Sequence, residues 1–296
     1  MGKYLWDFEL YRYILCTKMD KKIKNIGKLS GKVLLFGGVY SNLQALESIA
    51  QIAQKEGISP DNCICTGDII GYCAQPEETI QFFKSWKARS ITGNVEIQLS
   101  ENAEDCGCDF TKGSRCDDFS QLWYPFAKSK LSASSLLYIS ELPEFITFDY
   151  ANKKITVVHG SYFNTSEFVF KSTPWTNKTP NFTATESDII IAGHCGLPFI
   201  DKKDKLIWLN PGVIGMPAND GQTSVWYMIL DEKDAELKYE HHQLEYEFTK
   251  TAQLMLEQQL PQEYATTIVN GVWDNMEILP ETESKQQGKK IQFKDE

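Results

Sequence analysis

Four residues whose side chains suit metal or acid–base chemistry each end a short run that reads as a strand, and each stands beside glycine. Asp68 ends Cys63-Ile64-Cys65-Thr66-Gly67-Asp68, and Asn94 follows Ser90-Ile91-Thr92-Gly93. His159 sits in Val158-His159-Gly160, and His194 in Gly193-His194-Cys195-Gly196 after the apolar residues 189–192. A carboxylate, an amide oxygen and two imidazoles make a donor set for one divalent transition metal: zinc, manganese or iron. A fifth string of the same form, Phe36-Gly37-Gly38-Val39-Tyr40-Ser41-Asn42, offers Tyr40. Singly, each string has an ordinary reading, since Gly-Asp and Gly-Asn commonly mark turns and a lone histidine is commonly a hydrogen-bonded core residue. Their order and shared setting outweigh that. The chain has only 4 His; the other two, His241 and His242, lie in a charged stretch and read as surface residues.

Such residues meet only if the strands before them lie side by side. Val33-Leu34-Leu35-Phe36 is a wholly apolar run stopped by glycines, as a buried strand would be. Ser41 to Gln44 resembles a capping box, followed by apolar Leu43, Leu46, Ile49 and Ala53 at helical spacing. Pro76-Glu77-Glu78 opens a second helix. Strand, helix, strand, helix, strand is the signature of an α/β fold with parallel strands, whose ligands gather at the strands' carboxyl ends. Helix is expected again at 132–140, 249–259 and 261–270, and strands at 145–148, 155–159, 188–192, 206–209, 224–230 and 235–239. A folded domain is therefore expected over 31–245, with a polar, cysteine-bearing insertion at 101–130. Residues 1–30 read as an extension, the part before Met19 as its loosest, and 246–296 as a helical appendage with a flexible tail.

The 296 residues are 42% hydrophobic, which provides a sizeable core and excludes a disordered chain. The formal charge of −10 disfavours nucleic acid as a partner. No apolar run approaches the ~18 residues of a membrane span, and no signal core precedes Ser30, so a cytoplasmic protein is expected. The 8 cysteines are then reduced thiols, and the Asn-x-Ser/Thr triplets at Asn164, Asn177 and Asn181 carry no glycans.

From about 32 to 239 the ordered strings resemble the calcineurin-like metallophosphoesterases, in particular their compact bacterial phosphodiesterase branch. Gly67-Asp68-Ile69-Ile70-Gly71-Tyr72, Val158-His159-Gly160-Ser161 and Asn210-Pro211-Gly212-Val213-Ile214-Gly215 add to the resemblance. It implies a four-layer α/β/β/α sandwich of two mixed sheets, with metals at the strand ends. It also exposes departures. The family's Asp-x-His falls on Gly38 and Tyr40, its Gly-Asn-His on Gly93-Asn94-Val95, and its final Gly-His-x-His on Gly193-His194-Cys195-Gly196. The family's first metal would lose its private ligands at Gly38, Tyr40 and Gly196, whereas Asp68, Asn94, His159 and His194 complete the second. One metal per chain is the expectation. Val95 also replaces the histidine that assists the family's reaction, a loss that typically costs ~10²–10⁴ in rate.

The resulting expectation is a single-metal hydrolase of a small phosphate ester or related anion; the alternative is a non-catalytic metal or ligand sensor on the same scaffold. Asp68, Asn94 and Tyr40 are the candidate catalytic residues, Tyr40 either as a phenol donor to the substrate or as filler for the lost metal site. Glu96 either compensates for the lost groups of the site or is an ordinary helix-start acid complementing the dipole. Cys106, Cys108, Cys116 and Cys195 either serve a lid or soft-ligand site, with the loop thiols accessible, or are unremarkable. Arg115 either meets an anion or is solvated surface.

Overall fold

The computed structural model describes residues 21–108, 110–233 and 236–293. Strands β1 (Ile23–Lys28), β5 (Phe145–Tyr150), β6 (Lys153–Val157), β7 (Ile189–Ile191), β8 (Phe199–Lys203) and β9 (Leu206–Asn210) form one sheet in the order β1-β5-β6-β7-β9-β8. The second sheet runs β11-β10-β2-β3-β4, from β2 (Val33–Phe36), β3 (Cys63–Cys65), β4 (Arg89–Ser90), β10 (Val225–Lys233) and β11 (Glu236–Leu244). Both sheets are mixed. The pairs β2–β3, β3–β4, β6–β7 and β7–β9 are parallel, and β10 pairs antiparallel with both β2 and β11.

The continuous apolar run of β2 follows from burial on both faces. Val33 and Leu35 join Phe148, Ile155, Val157 and Ile191 in the core between the sheets, while Leu34 and Phe36 face the helical layer. That layer comprises α1 (Leu43–Lys55), α2 (Pro76–Trp86), α3 (Asn94–Ser100), α4 (Arg115–Lys130), α5 (Ala133–Ser140), α7 (Phe248–Glu257) and α8 (Gln262–Asn270). On the far side, α6 (Trp175–Thr185) seats Phe182 and Ala184 on Trp208 and Ile190 of the other sheet. The four expected layers are present. Among the described residues no helix is long and apolar enough to cross a membrane.

The chain departs from its sequence reading in several places. Strand β1 lies inside the segment expected as an extension and pairs in parallel with β5; residues 1–20 lie outside the described part. The first helix is capped by Asn42, whose Oδ1 accepts from the Ala45 N–H at 3.1 Å, while Ser41 Oγ accepts from Gly71 N–H instead. The insertion is half helix: α4 starts at a Ser114 cap and buries Trp123, Tyr124 and Ala127. The C-terminal helices α7 and α8 share the core of α1. Beyond α9 (Glu281–Ser284) the expected tail is docked as far as it is described, with Gly288 N–H on Asn219 O and the Phe293 ring 3.9 Å from that of His241. His241 is accordingly no plain surface residue. Its Nε2–H donates to Asn210 O at 2.7 Å, and burial pushes its pKa down to about 4.

Candidate metal centre and adjoining cavity

The strand ends deliver the four predicted residues to one place. After β3 the chain turns through Gly67 and Asp68 at φ of +95° and +55°. A Cβ on Gly67 would stand 2.6 Å from Gly93 N, and one on Gly93 would overlap Asp68 Oδ1. Glycine at both positions is what lets the Asp68 loop and the start of α3 touch. Glu96 holds this contact. Fully buried, its carboxylate accepts N–H bonds from Asp68 (2.9 Å), Ile70 (3.0 Å) and Gly93 (2.8 Å). Burial, followed by the charge of Asp68, lifts its pKa to about 7 against the pull of those N–H donors. Its work is to pin backbone, which the helix-dipole reading did not foresee.

His159 donates from Nδ1 to Thr66 O at 2.7 Å, so in the neutral ring Nε2 carries a lone pair. That atom lies 3.2 Å from Asp68 Oδ2, 3.1 Å from Asn94 Oδ1 and 3.1 Å from His194 Nδ1. Asn94 has no hydrogen to give it, because its Nδ2 donates to Cys106 O (2.8 Å) and Cys108 Sγ (3.2 Å). Asp68 Oδ1 is buried without a partner. Atoms able to ligate a cation therefore converge from four residues, and those of Asp68, His159 and His194 lie within 4.8 Å of one another. A buried convergence of this kind is unfavourable unless a cation or a proton sits in it. Burial pushes the pKa of His159 down, but the charge and hydrogen bond of Asp68 outweigh it and the net shift is upward; burial and then His159 hold His194 down to about 3. Such a donor set fits a divalent transition metal.

The pattern of the calcineurin-like phosphoesterase superfamily domain matches residues 32–235. The chain belongs to this superfamily. It is also 25% identical over 246 residues to the uncharacterized protein MJ0912 of Methanocaldococcus jannaschii, covering 78% of this chain and 94% of that one. In fold it is similar to a metallophosphoesterase from Sphaerobacter thermophilus (TM-score 0.64, 23% identity, 82% of this chain and 100% of that one). It is likewise similar to the hypothetical protein PH1004 of Pyrococcus horikoshii OT3 (TM-score 0.68, 17% identity, 82% and 99%).

Within this calcineurin-like phosphoesterase fold, two of the departing positions are filled by aromatic rings. A Cβ on Gly38 would overlap the ring of Tyr40, which packs edge-on against Tyr72 at 4.6 Å. A Cβ on Gly196 would meet the Trp273 ring at 3.3 Å, and Trp273 is fixed by its indole N–H on Pro217 O at 2.8 Å. Beside Asp68 and His194 these rings wall a cavity of about 90 Å³. Phe168, stacked on His194 at 4.3 Å, forms another wall. Sequence reasoning missed Glu96, Phe168 and Trp273; the only hint of the last is a tryptophan left in a polar turn after a helix.

The cysteines are less available than expected. Cys106, Cys116 and Cys195 are buried and Cys108 is partly so. Cys106 and Cys108 hydrogen-bond to each other. Cys116 Sγ donates to Asn275 Oδ1 at 3.3 Å, Cys195 Sγ accepts from Asn210 Nδ2 at 3.2 Å, and burial pushes these two thiols up to about 11 and about 12. Cys63 and Cys65 are the inert core thiols expected. Arg115 pairs with Asp274 at 2.7 Å and Glu263 at 3.4 Å. It fastens the insertion to the C-terminal segment and is not turned into the cavity.

Proposed function

We propose that this calcineurin-like phosphoesterase is a single-metal hydrolase of a small phosphate ester or related anion. The convergence of possible ligand atoms from Asp68, Asn94, His159 and His194 carries the reading. The rings over Gly38 and Gly196 support one metal rather than two, because they stand where side chains at those positions would have to go. A divalent ion held by the four residues supplies Lewis acidity toward a phosphoryl oxygen and toward water. The protein's own groups do the positioning. Thr66 O sets the tautomer of His159, the Cys106–Cys108 turn aims Asn94 Oδ1, and Glu96 fixes the backbone of Asp68. Tyr40 lines the cavity; burial, then the charge of Asp68, holds its pKa well above the usual phenol range, so it stays a hydrogen-bond donor for a substrate oxygen. Seven free cysteines among the described residues suit a reducing, cytoplasmic setting, and the charge of −10 suits a small substrate rather than nucleic acid.

The alternative, a non-catalytic metal or ligand sensor, is favoured by Val95, an apolar residue beside Asn94 where the resemblance puts a histidine. Elemental analysis combined with turnover of p-nitrophenyl phosphate esters separates the two. One transition metal per chain, lost in Asp68→Ala and His194→Ala, with slow turnover supports the hydrolase. One metal without turnover of any ester supports the sensor, and two metals per chain refute the single-metal site.

A further inference from the structure

The cavity beside the metal centre has walls of an unusual kind for an anion's binding site. Tyr40, Tyr72, Phe168, Tyr264 and Trp273 all line it, with Val213 and Met216, and among the described residues no lysine or arginine does. Arg115, the nearby cation, is committed to Asp274 and Glu263 and lies over the Phe119 ring. Among the described residues Asp274 is the other acid of the lining besides Asp68. Phosphate groups are normally held by arginine forks, lysines or clusters of backbone N–H, and a charge left unpaired among aromatic rings pays its full desolvation. A second anionic group in this cavity would meet a carboxylate and π-faces. The dimensions restrict the occupant further. About 90 Å³ is smaller than the ~150 Å³ of an engineered cavity that accepts benzene, so this space takes one ring at most, and a longer body has to extend toward the adjoining groove. An outer groove shares Phe110, Cys116, Phe168 and Ile278 with the cavity, and its one basic side chain, Lys112, lines only that groove.

We propose that this site selects a ligand with a single anionic head, placed at Asp68 and His194, on an uncharged aromatic body held between the Tyr264, Phe168 and Trp273 rings, and that it discriminates against compact polyanions. This rests on the metal-centre reading above for the placement of the head. Ring against ring contributes beyond simple area burial, and offset or edge contacts with Tyr264 and Trp273 are available along the wall.

Three probes test this on the full chain loaded with one equivalent of Zn²⁺: phenylphosphonate, methylphosphonate and pyrophosphate, followed by calorimetry and by tryptophan fluorescence. Phenylphosphonate should bind about tenfold or more tighter than methylphosphonate, and pyrophosphate no tighter than methylphosphonate. Trp273→Leu and Tyr264→Leu should each lower phenylphosphonate affinity toward that of methylphosphonate. Equal affinities for the phenyl and methyl probes, or pyrophosphate binding tightest, would overturn the proposal while leaving a metal-dependent site intact. Phenylphosphonate binding equally well without Zn²⁺ would instead remove the head from the metal and overturn it from that side. The wild-type series stands alone should either variant fail to fold.

Discussion

Replacing Glu96 by glutamine removes one proton-acceptor oxygen and changes almost no volume, so it isolates the clamp from packing. In the wild type the two carboxylate oxygens accept three backbone N–H groups, from Asp68, Ile70 and Gly93, in a site with no exposure. A glutamine presents one carbonyl oxygen and one NH₂, and whichever way it turns, its NH₂ faces at least one of those donors. A buried donor left without a partner costs about 1–3 kcal/mol. Glu96→Gln should therefore destabilise the fold by about 2–3 kcal/mol, and Glu96→Ala, with all three donors released and some relief from entering water, by about 3–5 kcal/mol. An acid that merely complemented the dipole of α3 would cost about 0.3–1 kcal/mol on neutralisation. Urea unfolding at fixed pH distinguishes these ranges. The clamp also holds the backbone of Asp68, so metal affinity should fall in the same variants, read by competition with a chromophoric chelator. A Glu96→Gln loss below about 0.5 kcal/mol with unchanged metal affinity would refute the clamp.

Three further outcomes are expected. Gly38→Ala should lower stability by about 1–3 kcal/mol, because the new methyl overlaps the Tyr40 ring, and the same substitution made in a Tyr40→Ala background should cost much less; thermal melts of the double-mutant cycle decide it. His241 makes stability pH-dependent: folded, its pKa lies near about 4, since protonation would place a hydrogen on a buried Nδ1 that has no partner. The unfolded chain, titrating near 6.5, binds the proton first, so stability is complete above about pH 6.5 and falls by up to about 3 kcal/mol toward pH 4; His241→Gln should flatten that slope. Cys108→Ala should weaken metal binding by removing an acceptor of the Asn94 amide, whereas Cys108→Ser, which keeps one, should bind metal nearly as the wild type does, with affinity measured by calorimetry.

The four candidate ligands were legible because a buried parallel strand leaves a plain local signature: a short strand-like run that ends in a polar side chain beside a glycine, at the sheet's carboxyl edge. Glu96 was visible as a helix-start acid, but two of its partners are backbone N–H groups at Asp68 and Ile70, remote in sequence and of a kind that every residue carries. Trp273 and Phe168 act through stacking on Gly196 and His194, contacts set by packing of distant segments. Helix α4 contains Pro125 and α6 contains Pro180, each an argument against a helix locally; burial of Trp123 and Tyr124 in one and Phe182 in the other overrides it. Strand β8 escaped notice because Asp201, Lys202 and Lys203 make a sheet edge look like a loop.

The wall made by Tyr264 and Trp273 has a consequence for the order of events on the ribosome. All four candidate ligands precede position 195, whereas Trp273 follows His194 by about eighty residues. At roughly 5–20 residues per second, the last ligand is polymerised about 4–16 s before the ring that covers Gly196. Strand β10, which lies between β2 and β11 in the second sheet, is also made in that interval. In a chain that folds as it is made, the candidate ligands Asp68, Asn94, His159 and His194 are thus all synthesised before the ring that covers Gly196, and the aromatic wall is the last part of the site to be added.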